Sequence, residues 1–239
     1  MRLALKKTAL LVSVDQKYLK CLSLKTQKYI DLKIPKQTYG EKITAHEVFG
    51  QSRDLAAVLT PKFVWIHWFD PEANINEFVS LHRFKQLSRQ EEANSVAVCP
   101  KNRFLMVSTK LGTTSLSRVM LLEFMENQIE FRQMIEFPKN DIAILSSIKF
   151  VRYFEKNGEE GYSGSSLVGV GISKGQWSTD LLFFSYNFEN GVFREMQKLS
   201  GNIKFKLPMK LVGKNGFFYA SGSSGRLLRV LCYSKQEEM

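Results

Sequence analysis

Apolar residues along this chain fall into short strand-like runs, and the runs recur. Arg2 to Lys6, Ala9 to Val14, Tyr18 to Leu24 and Lys28 to Lys33 read as four strands, with Asp15-Gln16 and Lys25-Thr26-Gln27 as turns between them. Tyr29, Ile30, Asp31, Leu32 and Lys33 alternate apolar with polar, as expected of an outer strand with one wet face. Ala9 to Val14 is apolar at nearly every position, which fits an inner strand covered on both faces.

The same unit is written five times. Aligned on the third strand, the copies are Tyr18 to Leu24, Val64 to Asp70, Arg118 to Phe124, Asp180 to Tyr186 and Leu227 to Tyr233. The equivalent apolar positions are Leu22, Phe69, Leu122, Phe184 and Leu231, spaced by 47, 53, 62 and 47 residues. Periods of this length filled with strands predict an all-β fold, a β-propeller of four-stranded antiparallel blades, because one small sheet cannot bury both its faces and must stack on neighbours. The blades are expected at about 1–34, 41–85, 93–138, 143–200 and 202–235 of a single domain spanning 1–239, the last without its fourth strand. Lys156 to Ser166, rich in Gly, Ser and Glu, reads as a surface insertion.

Leu10 to Leu32 follows the strand-turn-strand rhythm of WD-repeat β-propellers and resembles that family over most of a blade. The Trp-Asp dipeptide is absent from every unit; Phe69-Asp70 comes nearest, and the Gly-His that opens such repeats is missing too. What the resemblance implies is a rigid platform for other macromolecules. A seven-bladed ring of this period would need about 330 residues, so the expectation here is about five blades in an open, partial or imperfectly closed ring. With Met1 read as the start of the innermost strand, no upstream strand is expected to complete the last blade. Open blade edges and faces invite a partner or self-association.

Composition narrows the classes. An apolar content of 44% with 18 Phe can build a sizeable core, and no run of about 18 uncharged apolar residues exists to cross a bilayer. The basic and apolar opening from Met1 to Val14 is short for a signal peptide, lacks a small-x-small cleavage site and is needed for two strands. Cys21, Cys99 and Cys232 are odd in number and sit in apolar strands, and no N-x-Ser/Thr acceptor occurs. Buried thiols in a cytoplasmic or nuclear protein account for both facts.

The charge is uneven. Residues 1–40 carry nine Lys and Arg against two acids, and residues 198–239 carry eight against two, whereas 41–197 carry seventeen against nineteen. If the first and last blades are neighbours, Lys17, Lys20, Lys25, Lys28, Lys204, Lys206, Lys210, Arg226 and Arg229 form one basic sector able to attract RNA, an anionic membrane surface or an acidic protein. Solvating lysines that discourage edge pairing give the same pattern. Strand alternation puts Trp65 and His67 on one side of their strand and Ile66 and Trp68 on the other, so one Trp belongs to the core and Trp65, if exposed, is a contact hot spot.

Catalytic signals are poor. His46, His67 and His82 lie in separate segments without metal-ligand spacing, so no metal or cofactor is expected. Gly169 to Gly175 breaks the dinucleotide fingerprint, Ser221 to Arg226 lacks the P-loop ending, and Gly161 to Ser165 lacks the context of a nucleophile elbow. Each reads as turn chemistry. The sequence therefore predicts a non-enzymatic scaffold or adaptor that binds protein as part of a larger complex, with RNA or anionic lipid binding through the terminal blades as the alternative.

Overall fold

The computed structural model describes residues 2–5, 9–14, 18–50, 53–99, 103–111, 118–136, 144–155, 164–173, 179–187, 191–199, 210–214, 217–221 and 227–231. Among the described residues, all regular structure is strand apart from one 3-10 turn at Lys36–Thr38. The strands form five antiparallel meanders, each running in chain order from one edge to the other. The first is β1 (Arg2–Leu5), β2 (Ala9–Val14), β3 (Tyr18–Ser23) and β4 (Tyr29–Leu32). The second is β5 (Ala45–Phe49), β6 (Leu55–Leu59), β7 (Phe63–Asp70) and β8 (Ile75–Arg83). The third is β9 (Glu91–Val98), β10 (Phe104–Leu111), β11 (Arg118–Met125) and β12 (Gln128–Glu136). The fourth is β13 (Ile144–Glu155), β14 (Gly164–Ser173), β15 (Thr179–Asn187) and β16 (Phe193–Leu199), and the fifth is β17 (Lys210–Lys214), β18 (Phe217–Ser221) and β19 (Leu227–Leu231). The fold divides into two compact units, Met1–Phe137 with three meanders and Pro138–Met239 with two.

In the first unit, adjacent sheets stack through the two faces of the middle one. Inner strands succeed one another, β1 beside β5 and β5 beside β9, and outer β8 lies against outer β12. Strand β7 shows how the sequence drives this. Val64 and Ile66 enter a core shared with Val96, Val107, Met120 and Leu122 of the third sheet, with half-buried Trp68 packed against it. Trp65 and Phe69 enter a second core with Leu11, Leu19, Cys21 and Leu32 of the first. Both faces of β7 are dry, so the run FVWIHWFD carries apolar residues on either side instead of alternating. Trp65 is 1% exposed, which corrects its expected place as an exposed contact: the face it shares with Phe69 is covered by the first sheet. Strand β6, Leu-Ala-Ala-Val-Leu, is buried at all five positions for the same reason, its alanines giving adjacent sheets room to approach.

The repeat is real, but its register differs from the sequence alignment. A bulge interrupts the pairing of third and fourth strands between Ile66 and His67, between Leu121 and Leu122, and between Phe183 and Phe184. Counted from that bulge, Phe69 corresponds to Phe124 and Tyr186, two residues beyond the expected Leu122 and Phe184. A slip of two leaves every side chain on its original face, so the apolar pattern cannot reveal it. Two further differences lie in the fourth sheet. Gly164, Ser165 and Ser166, expected at the end of an insertion, belong to β14 and pair with Glu155, Phe154 and Tyr153; residues 156–163 lie outside the described set. Gly169 and Gly171, expected at a strand-to-turn passage, are inside the same strand.

Candidate interaction surface

Three of the third-to-fourth-strand turns share one design. Gln27 (φ 57°), Asn74 (φ 55°) and Gly191 (φ 68°) each hold the left-handed position four residues after Ser23, Asp70 and Asn187. In the first two, the residue that opens the turn caps it with its own side chain. Ser23 Oγ accepts from the N–H of Lys25 and Thr26 at 3.2 and 3.1 Å, and Asp70 Oδ1 accepts from those of Glu72 and Ala73 at 2.9 and 3.2 Å. The third sheet instead turns in two residues, Glu126 and Asn127, both left-handed.

The capped turns of the first and second sheets are tied to each other. Ser23 and Thr26 both donate their hydroxyls to Glu72 Oε1, the latter at 2.8 Å. These bonds, helped by nearby Lys25 and Lys28, hold the Glu72 carboxyl below its ordinary pKa. Four residues along, at the start of β8, Asn76 also reaches across to the first sheet. Its Nδ2 donates to the Asp31 carbonyl at 2.6 Å, and its Oδ1 accepts from the Lys33 N–H at 3.3 Å. A side-chain amide thereby does for β4 what one residue of a neighbouring strand would do, closing part of its outer edge. Because Oδ1 is an acceptor, His67, 2.6 Å away, must donate through Nε2. Its Nδ1 is then a bare acceptor, with no partner among the described residues. Burial lowers the pKa of His67, so the ring is neutral, a donor that orients Asn76.

The second sheet is tied to the third at both of its ends, by Arg53 at the end that carries Glu72 and by Lys62 at the opposite one. Arg53 Nη2 donates to Asn127 Oδ1 at 2.6 Å while its guanidinium lies 5.5 Å from the Trp68 ring. Lys62 Nζ donates to the carbonyls of Ser88, Arg89 and Glu91 at 2.9, 3.3 and 2.5 Å. Inside the third sheet, buried Glu91 accepts from Arg118 and from Thr109, the hydroxyl at 2.8 Å. Burial works against its ionised form, but these bonds outweigh it and hold its pKa low. Glu123, 4% exposed, is likewise gripped by Arg103 and Arg132.

The first sheet turns two unlike faces outward and inward. Leu19, Cys21 and Leu32 are buried against the second sheet. The opposite face carries Tyr18, Lys20 and Leu22 on β3, with Tyr29 and Asp31 across from Leu22 and Lys20 on β4. Tyr18 and Tyr29 are 61% and 63% exposed, among the most open large side chains described. Lys20 pairs with Asp31 at 3.4 Å and places its Nζ 5.0 Å from the Tyr29 ring. Lys25 and Lys28 are exposed in the turn beyond. Of the expected basic sector, only these three lysines have described side chains. Lys210 and Arg229 fall on β17 and β19 of the second unit, their side chains outside the description, and Lys17, Lys204, Lys206 and Arg226 lie outside the described residues. Sequence reasoning missed Glu72 and Asn76, whose role depends on the neighbouring sheet.

Among the described residues no three of His, Cys, Asp and Glu converge, and no helix is long and apolar enough to cross a membrane. No protein-family model matches the sequence, and no curated protein does. Solved structures do match it. A protein from Lactobacillus plantarum is similar at 10% identity and a TM-score of 0.57, covering 93% of this chain and 67% of its own. The N-terminal domain of Nup159, a β-propeller, is similar at 10% identity and a TM-score of 0.55, covering 95% of this chain and 64% of its own. The fold is that of a β-propeller, and its meanders are blades. The chain spans about two thirds of the length of the structures it matches.

Proposed function

We propose that this chain is a non-catalytic scaffold, a degenerate WD-like propeller that binds another protein within a larger intracellular complex. The observation that carries this reading is the bonding between blades at their turns: Ser23 and Thr26 on Glu72, Asn76 on β4, and Arg53 on Asn127. Loops held in this way lose little conformational freedom when a partner docks, so more of the contact energy appears as affinity. Nearby lie exposed Phe78, at 50%, and Met125, at 38%, side chains of the kinds that interfaces use as anchors.

The reading is tested by isolating the tagged chain from its own cells at physiological salt, with and without nuclease, and measuring the stoichiometry of what accompanies it. The expected result is a protein at near-unit stoichiometry that survives nuclease and is lost from Phe78→Asp or Met125→Asp variants with unchanged melting. A chain that comes out alone, or whose companions ignore both substitutions, overturns it. The second reading, RNA or anionic lipid held by the terminal blades, is favoured at one place: the face of the first blade that carries Tyr18 and Tyr29.

A further inference from the structure

We propose that the outer face of the first blade binds single-stranded nucleic acid, a ligand beyond the protein partner of the scaffold reading. The two faces of the β3–β4 hairpin make the case. The inner one is built like any blade interface, from Leu19, Cys21 and Leu32. The outer one is not, because it sets two exposed tyrosines around a lysine and a half-buried leucine. Within this hairpin the outer face does not repeat the inner composition. Lysine is depleted at protein interfaces, whereas single-strand binding calls for ring platforms beside cations that follow the backbone.

The geometry suits that task. Tyr29 stands across from Leu22, and Tyr18 is four residues along the same strand, so the rings are separated by about 13 Å along it, with Lys20 between. Lys20 lies 5.0 Å from the Tyr29 ring and ion-pairs with Asp31, which fixes the ring while most of it stays open. Exposed Lys25 and Lys28 continue past Tyr29, and exposed Lys33 follows β4. Against these four lysines stand Asp31 and Glu72, both already engaged, by Lys20 and by the hydroxyls of Ser23 and Thr26. The stem remains net positive by two charges, on a chain of net charge +11.

The test is fluorescence anisotropy of a labelled twelve-nucleotide oligouridine titrated with the full 239-residue chain, beside a duplex of the same length, a poly-glutamate peptide and phosphatidylserine vesicles. Two to four phosphate contacts give a slope of log affinity against log salt of about −1.5 to −3. Tyr29→Ala weakens oligouridine binding by about fivefold or more, and Tyr29→Phe, which keeps the stacking ring, does not. Lys25→Gln with Lys28→Gln flattens the salt slope by about 1.4. Each variant is checked for unchanged melting; if Tyr29→Ala melts early, the Tyr18→Ala variant carries the stacking arm. Absence of oligouridine binding in 50 mM salt overturns the proposal. So does binding indifferent to loss of either ring, or matched by poly-glutamate, which is charge adhesion alone. Preference for vesicles over oligouridine assigns the face to lipid and overturns it too.

Discussion

Replacing Asn76 by Ala tests the bonding between blades at its most connected point. The substitution removes three hydrogen bonds: to the Asp31 carbonyl at 2.6 Å, to the Lys33 N–H at 3.3 Å and to His67 Nε2 at 2.6 Å. The first two groups are exposed and turn to water, a loss of about 0.5 kcal/mol each at the low end for such bonds. The third is different. His67 is 0% exposed and its Nδ1 already has no partner among the described residues, so the ring would be left with both nitrogens unsatisfied, at about 1–3 kcal/mol. The sum is about 2–4 kcal/mol, which at about 3 °C per kcal/mol lowers the melting temperature of the first unit by about 6–12 °C. Asn76→Asp separates the contributions: it keeps an acceptor for His67 but sets a carboxylate against the Asp31 carbonyl. It should fall between wild type and Asn76→Ala at pH 8. The assay is thermal denaturation followed by circular dichroism, with His67→Phe and the double variant completing a cycle. A change below about 0.5 kcal/mol for Asn76→Ala, or a coupling of zero in the cycle, would show that Asn76 does not satisfy His67.

Other perturbations probe separate parts of the fold. Arg118→Leu strands the buried carboxylate of Glu91 and should cost about 3–5 kcal/mol in chemical denaturation, while Glu91→Leu with Arg118→Leu should recover most of that; equal loss in both would contradict the pairing. Burial holds His67 below its ordinary pKa, so the unfolded chain takes up a proton where the folded chain does not. Stability is therefore whole above about pH 6.5 and falls as pH drops below it, and His67→Gln should flatten that dependence in melting curves from pH 8 to 5. His82, lowered by burial in the same way, should behave likewise. Burial, with Asp54 and Asp70 adding, pushes the Cys21 thiol up to about 12, so iodoacetamide at pH 8 should leave Cys21 unmodified by mass spectrometry until the chain is unfolded. Rapid labelling of Cys21 in the native chain would show that the core between the first two blades is open.

The strands of the first blade are legible to within a residue, because the continuous apolar run of Ala9 to Val14 and the alternating Tyr18 to Ser23 are set between turns rich in Lys, Thr and Gln. The propeller itself followed from spacing alone, since periods of 47 to 62 residues filled with strands leave few architectures. What pattern could not supply was anything that depends on the neighbouring sheet. Trp65 faces the first blade, and its burial follows from that contact, which alternation within β7 does not encode. The two-residue slip at Leu122 and Phe184 comes from bulges that leave side-chain faces unchanged. Asn76 and Glu72 read as ordinary polar residues of a turn and an outer strand; their partners Asp31, Lys33, Ser23 and Thr26 are more than forty positions away. Of the basic sector, Lys20, Lys25 and Lys28 lie on the first blade, and the exposure of Tyr18 and Tyr29 beside them is not visible in charge alone.

Turns held in place before any partner arrives are measured directly by native-state amide hydrogen exchange. In the free chain the amides of Thr26, Ala73 and Lys33, bonded to Ser23, Asp70 and Asn76, should exchange more slowly than in an unstructured peptide, and Glu72→Ala should release the turn it ties, and Asn76→Ala the edge of β4, while β7 stays protected. Exchange of these three amides at the rate of an unstructured peptide in the wild-type chain would contradict it.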